Sequence, residues 1–131
     1  MTEQLTVLLV DDDTSIQTTI YRALEEQGYS VLAAGNGVDA LDICRQHRHP
    51  IDLLLTDVEM PGMSGVDLAE HALRLQPLMK ILFMSGEADD RALRLDGFQN
   101  VPMFLAKPFD QAALMYRVKV ALDVSAIRPR R

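Results

Sequence analysis

The sequence predicts an α/β fold in which helices cover both faces of a parallel sheet. Short apolar runs of strand length alternate along the chain with segments whose apolar residues recur at helical spacing. The runs are apolar throughout rather than at every second position, which is typical of parallel strands buried on both faces. A chain of 131 residues with one such pattern fits a single domain.

The first strand and the first helix are marked by their ends. The apolar run at residues 5–10 stops at three consecutive aspartates. The helix at residues 14–27 has a candidate N-cap in Asp13 or Thr14 and a glycine stop at Gly28. These signals predict one strand–helix unit at the start of the chain.

The rest of the chain repeats this unit, with turns rich in glycine or proline between apolar strands and one-sided helices. The elements, in chain order, are a strand at Ser30–Ala34, a helix from Val38 to about His47, a strand at Ile51–Thr56, a helix at residues 66–75, a strand at Lys80–Met84, a weak polar helix at Asp89–Leu95, a strand at Met103–Ala106 and a helix that starts near its N-cap Asp110.

Composition excludes several classes of protein. The net charge of -6 argues against a nucleic-acid-binding surface, which needs excess Lys and Arg. One cysteine, Cys44, excludes an internal disulfide and suits a reducing compartment. We find no signal peptide and no apolar run of the ~18 residues that a membrane span needs, so we expect a cytoplasmic protein. We expect the domain at residues 1–124 and a basic, disordered tail at residues 125–131.

Chemically distinctive side chains stand where four of the predicted strands end. Asp11 and Asp12 follow the first strand, Asp57 the third, Ser85 the fourth and Lys107 the fifth. The carboxyl ends of parallel strands share one edge of a sheet, where open α/β folds place their ligand sites. We therefore expect these residues to converge.

The set is suited to phosphoryl transfer. Crowded carboxylates need a bridging cation, and Mg²⁺ prefers oxygen ligands of this kind, together with water and phosphate oxygens. An aspartate can act as a covalent nucleophile. A lysine and a hydroxyl group can neutralise and hold the transferred group.

At these positions the sequence resembles the receiver domain of two-component response regulators, over about residues 5–123. The resemblance implies a flavodoxin-like (βα)5 three-layer sandwich with strand order 2-1-3-4-5. The matching motifs are Val10-Asp11-Asp12-Asp13, the segment from Leu55 to Gly65 around Thr56-Asp57, Met84-Ser85-Gly86 and Lys107-Pro108-Phe109. The residues of the last two motifs, together with Phe104-Leu105-Ala106, look most like those of receivers associated with hybrid histidine kinases.

The resemblance also implies a metal site and a phosphoacceptor. Asp57 would accept the phosphoryl group and contribute to the Mg²⁺ site, where Mn²⁺ is a possible substitute. Asp12 would bind the ion directly and Asp11 largely through water. The backbone carbonyl of Glu59 would complete the protein ligands. The acidic side chains of Glu59 and Glu87 near the site mouth would slow the access of anionic phosphodonors.

The remaining roles implied by the resemblance concern the phosphoryl group and its readout. Ser85 and Lys107 would bind the phosphoryl group, and the peptide between Lys107 and Pro108 would be cis. Phe104 matches the aromatic switch position, which responds when Ser85 engages the phosphoryl group. The response would appear on the switching face, formed by the predicted helix at Asp89–Leu95, the strand at Met103–Ala106 and the last helix.

As a function, the resemblance implies Mg²⁺-dependent phosphoryl transfer from the phosphohistidine of a histidine kinase, in a phosphoacceptor rather than a turnover enzyme. Partners would be a sensor or hybrid histidine kinase, a histidine phosphotransfer protein and a downstream protein effector, with neither nucleic acid nor membrane. We expect a monomer or a weak dimer. The alternative is a haloacid-dehalogenase-type phosphatase with Asp11 as nucleophile and Asp13 as acid, which leaves Asp57 unexplained.

Overall fold

The five predicted strands form one parallel sheet. The structure, a computed structural model, describes residues 4–86 and 103–127. In these residues the strand order is β2-β1-β3-β4-β5, as the flavodoxin-like prediction requires. The strands are β1 (Thr6–Val10), β2 (Ser30–Ala34), β3 (Leu53–Asp57), β4 (Lys80–Ser85) and β5 (Met103–Ala106).

Four helices connect or flank these strands in the described part of the chain. They are α1 (Thr14–Glu26), α2 (Gly37–Gln46), α3 (Gly65–Leu75) and α4 (Gln111–Ile127). The predicted helix at Asp89–Leu95 lies outside the described residues. None of the described helices has the length and apolar character that crossing a membrane requires.

Alternate residues of each strand pack into two separate hydrophobic cores, one on each face of the sheet. Leu8, Val10 and Leu54 pack with α2 and α3 on one face of the sheet. Val7 and Leu9 pack with α1 and α4 on the other face. Both faces of the central strands are therefore buried, which explains why their sequences are apolar throughout.

The helix ends follow the signals in the sequence, with one difference. The Asp13 carboxylate accepts a hydrogen bond from the backbone N–H of Ile16 (3.1 Å), and Asp110 accepts one from Ala113 (2.8 Å), so both predicted caps are confirmed. Gly28 adopts φ +95° after α1, a conformation that suits glycine. The last described helix extends to Ile127, three residues past the predicted domain end at residue 124.

Candidate functional site: an acidic cluster with one lysine

Asp57 is the last residue of β3 and its side chain is buried. In the sheet it pairs with Met84, and the next N–H, of Val58, donates to the Met84 carbonyl (3.0 Å). The hydroxyl of Thr56 donates to the Asp57 carbonyl (3.1 Å). A Cβ at Gly65 would overlap that same carbonyl oxygen, so the start of α3 passes closer than any other residue would allow.

Asp11 follows β1 directly and is the most buried acid of the cluster, with 1% exposure. One carboxylate oxygen, Oδ1, accepts from the backbone N–H of Asp13 (2.9 Å). The Asp11 N–H donates to the carbonyl of Ala34 at the end of β2 (3.2 Å). The next side chain, Asp12, is exposed. The turn after β1 thus holds one acid inward and leaves the other open to solvent.

Lys107 supplies the positive charge that the carboxylates need. Its ammonium nitrogen lies 2.5 Å from Asp57 Oδ1 and 3.8 Å from Asp11 Oδ2. The Lys107 backbone N–H donates to the carbonyl of Ser85 (2.7 Å), which fixes the segment after β5 beside the end of β4. The Lys107–Pro108 peptide is cis, as predicted.

Burial and crowding shift the protonation of the cluster. Burial raises the pKa of Asp57 from an ordinary value of 3.8 to about 7; Lys107 opposes this rise and Asp11 adds to it. For Lys107, burial acts to lower the pKa. The carboxylates of Asp57, Asp11 and Asp12 outweigh that effect, and the pKa of Lys107 is raised. The protein alone therefore does not fully stabilise a charged Asp57 at neutral pH.

The same crowding fits a hard cation. One oxygen from each carboxylate of Asp11, Asp12 and Asp57 lies within 4.8 Å of the other two. Among the described residues, nothing donates a hydrogen bond to the buried Asp11 Oδ2. A buried oxygen without a donor is costly unless a charge compensates it. An all-oxygen donor set of this kind suits Mg²⁺ or Mn²⁺.

The other predicted residues lie around this cluster. Ser85 ends β4 beside Lys107 and is half-buried, and Glu59 is exposed two residues past Asp57. The half-buried ring of Phe104 stacks on the buried Phe83, with 5.5 Å between ring centroids. Glu87 lies outside the described residues. Asp13 is occupied as the N-cap of α1, a role different from the acid role that the phosphatase alternative gives it.

One polar residue of the site, Gln17, belongs to none of the sequence motifs. The side-chain amide of Gln17 donates to the carbonyls of Asp11 (3.2 Å) and Ala34 (2.9 Å). In the sequence, only the position of Gln17 on α1, one turn past the N-cap, indicates that its side chain could reach these carbonyls. Such a bond depends on how the helix meets the ends of two strands.

The sheet edge, the acidic cluster and the lysine together define a phosphoryl-transfer domain of the flavodoxin-like class. A profile of the family described as "Response regulator receiver domain" matches residues 7–119. The chain belongs to this family. Receiver domains accept phosphoryl groups, bind Mg²⁺ through acidic residues, and interact with histidine kinases or phosphotransfer proteins. The phosphatase alternative is not favoured.

Two curated relatives come from Brucella abortus. The sensor kinase CckA is 37% identical over 123 residues, covering 90% of this chain and 12% of the kinase. The response regulator receiver protein CpdR is 35% identical over 119 residues, covering 88% of this chain and 95% of CpdR. A crystal structure of the receiver domain from the hybrid histidine kinase CckA shows 32% identity and a TM-score of 0.75, covering 89% of this chain and 98% of that chain.

Proposed function

We propose that Asp57 accepts a phosphoryl group from the phosphohistidine of a histidine kinase. The observation that carries this proposal is the contact between Lys107 and Asp57 inside a buried acidic cluster. A carboxylate oxygen of Asp57 forms the new bond to phosphorus as the bond from phosphorus to the imidazole nitrogen breaks. The electron pair of that bond stays on the imidazole. The product stores a signal on Asp57, as expected of a phosphoacceptor rather than a turnover enzyme.

The cation ligands in this proposal are the carboxylates of Asp11, Asp12 and Asp57 and the backbone carbonyl of Glu59. Mg²⁺, when bound, neutralises negative charge on the phosphoryl oxygens. Asp11 and Asp12 would hold the ion next to the acceptor, where its charge would favour the ionised form of Asp57. This compensates for the burial that raises the Asp57 pKa.

Lys107 and Ser85 are the proposed partners of the transferred group. In the unphosphorylated protein the ammonium pairs with Asp57. Once that carboxylate is phosphorylated, the ammonium pairs with a phosphoryl oxygen, and the Ser85 hydroxyl donates to another. Ser85 and Phe104 lie on neighbouring strands, where Ser85 pairs with Ala106 and Phe83 with Phe104. We propose that Ser85 couples phosphorylation to Phe104 and thereby to the switching face.

The wider setting follows from the family. We propose that the domain occupies residues 1–124 and acts in the cytoplasm, as a monomer or a weak dimer. Its phosphodonor is a sensor or hybrid histidine kinase or a histidine phosphotransfer protein, and a protein effector reads the switching face. The match to the receiver of a hybrid kinase supports such a donor. This chain spans only 12% of CckA, so the match does not attribute the activity of the whole kinase to this protein.

Labelling with acetyl phosphate and Mg²⁺, followed by peptide mapping, tests the proposal. We expect one stable acyl phosphate, on Asp57, and its loss in Asp57→Asn. Asp13→Asn is the control, because the Asp13 side chain caps α1, asparagine can keep that cap, and labelling should stay intact. Label on Asp11 with steady turnover would support a phosphatase instead, and the absence of labelling would contradict phosphoacceptor function.

The Glu59 side chain should change the rate of phosphorylation without being required for it. Its exposed carboxylate lies two residues past Asp57, where it repels an approaching anionic phosphodonor. We expect Glu59→Gln to raise the rate of labelling by acetyl phosphate by about two- to fivefold at low salt, and less at high salt. Glu70→Gln, an exposed carboxylate on α3, is the matched control. An unchanged rate in Glu59→Gln at low salt would contradict the prediction.

A further inference from the structure

We propose that Gln17 is a positioning residue that sets the affinity of the cation site by fixing the peptide between Asp11 and Asp12. This inference rests on the proposed function, because it concerns the same cation. Helix α1, which carries Gln17, would thereby help to position the cation ligands. Gln17 does not belong to the acidic cluster, and its side chain acts only through the backbone.

The amide nitrogen of Gln17 makes two hydrogen bonds that meet at the ends of two strands. It donates to the Asp11 carbonyl at 3.2 Å and to the Ala34 carbonyl at 2.9 Å. The Ala34 carbonyl also accepts from the Asp11 N–H at 3.2 Å. Asp11 is thus held through its N–H, its carbonyl oxygen and, by the bond from Asp13, its carboxylate Oδ1.

The Asp11 carbonyl needs such a donor because the sheet stops there. Val10 and Ala34 are the last paired residues of β1 and β2. Asp11 follows that register, so its carbonyl lies beyond the described ladder. Gln17 provides the donor, since both of its amide hydrogens can be used at once.

The donor is anchored on a rigid element. The Gln17 backbone N–H donates to the Asp13 carbonyl (2.9 Å), within the capped first turn of α1. Further along the same helix, Ile20 and Leu24 are buried in the core. The Asp11 carbonyl is therefore bonded to a helix that is capped at its start and packed against the core.

The Asp11 carbonyl belongs to the peptide that joins two proposed cation ligands. Rotation of this peptide would turn both carboxylates relative to Asp57. Residues that orient metal ligands from outside the ligand set commonly change metal affinity by about 10- to 100-fold. Because Gln17 is half-buried and water can reach part of its environment, we expect the lower end, about tenfold.

The test compares wild type with Gln17→Met, which keeps the length but has no donor, and with Gln17→Ala. Thr18→Ala, an exposed neighbour on the same helix, is the matched control. Calorimetric titration gives the Mg²⁺ dissociation constant, and thermal melting without Mg²⁺ reports the fold. Labelling by acetyl phosphate is followed across a range of Mg²⁺ concentrations.

Both Gln17 variants should bind Mg²⁺ about tenfold more weakly than wild type. Their labelling rate should return to the wild-type value at saturating Mg²⁺, which a general loss of structure would not produce. Unchanged Mg²⁺ affinity in both variants, with or without a lower melting temperature, would overturn this inference alone. Failure of the wild type to bind Mg²⁺ would overturn the proposed function and this inference with it.

Discussion

Lys107→Met should lower the rate of Asp57 phosphorylation by about 100-fold, because a preorganised charge aimed at the transferred group is worth roughly 10²–10³ in rate. The ammonium contacts Asp57 directly, and no other Lys or Arg in the described residues forms an ion pair with an acid of the cluster. Methionine keeps much of the length and apolar stem of lysine but removes the charge. The measurement is the initial rate of acetyl phosphate labelling at saturating Mg²⁺.

The same variant should not weaken Mg²⁺ binding. The ammonium competes with a cation for Asp57 and Asp11, which lie 2.5 and 3.8 Å from it. Its loss leaves the carboxylates more negative, so we expect equal or tighter binding of Mg²⁺. Lys119→Met, an exposed lysine on α4, controls for the general loss of one charge. A wild-type labelling rate in Lys107→Met would contradict the role proposed for this side chain.

The parts of the fold that periodicity encodes were predictable. Uniformly apolar strands and one-sided helices indicated a sheet buried on both faces, and the structure confirms it. Because the parallel strands all end at one edge, sequence positions as distant as Asp11 and Lys107 could be brought together by topology alone. The strand order itself came from the resemblance to receiver domains.

The contacts that refine the site were not predictable in the same way. The Gln17 amide reaches two carbonyls, and Gly65 passes against the Asp57 carbonyl, only because helices α1 and α3 meet the sheet at particular angles. Such contacts produce no periodic pattern in the sequence, where Gln17 resembles any other polar residue on a helix.

Asp57 should make the Mg²⁺-free protein less stable as the pH rises. Its pKa is raised from 3.8 to about 7 in the folded protein, mainly by burial. Between these values the folded state keeps a proton that the unfolded state has lost, so the free energy of unfolding falls with increasing pH. The fall levels off above about pH 7. This is opposite in sign to the usual effect of a salt-bridged aspartate.

Asp57→Asn isolates this effect, because the amide resembles the protonated carboxyl and does not ionise. Each pKa unit is worth about 1.4 kcal/mol. We therefore expect the stability advantage of the variant over wild type to grow by roughly 2–3 kcal/mol from pH 5 to pH 8, measured by urea unfolding in EDTA. Asp42→Asn removes a carboxylate whose side chain is 55% exposed and is the control for the loss of one acidic group.

Mg²⁺ should reduce the stability advantage of Asp57→Asn at pH 8. A cation bound to the ionised cluster of the folded protein would raise its stability by mass action. Wild type has the full set of carboxylates and should gain more stability from Mg²⁺ than Asp57→Asn. Stability curves of the two proteins that run parallel from pH 5 to pH 8 in EDTA would contradict the raised pKa. An equal gain from Mg²⁺ in both would instead remove Asp57 from the set of cation ligands.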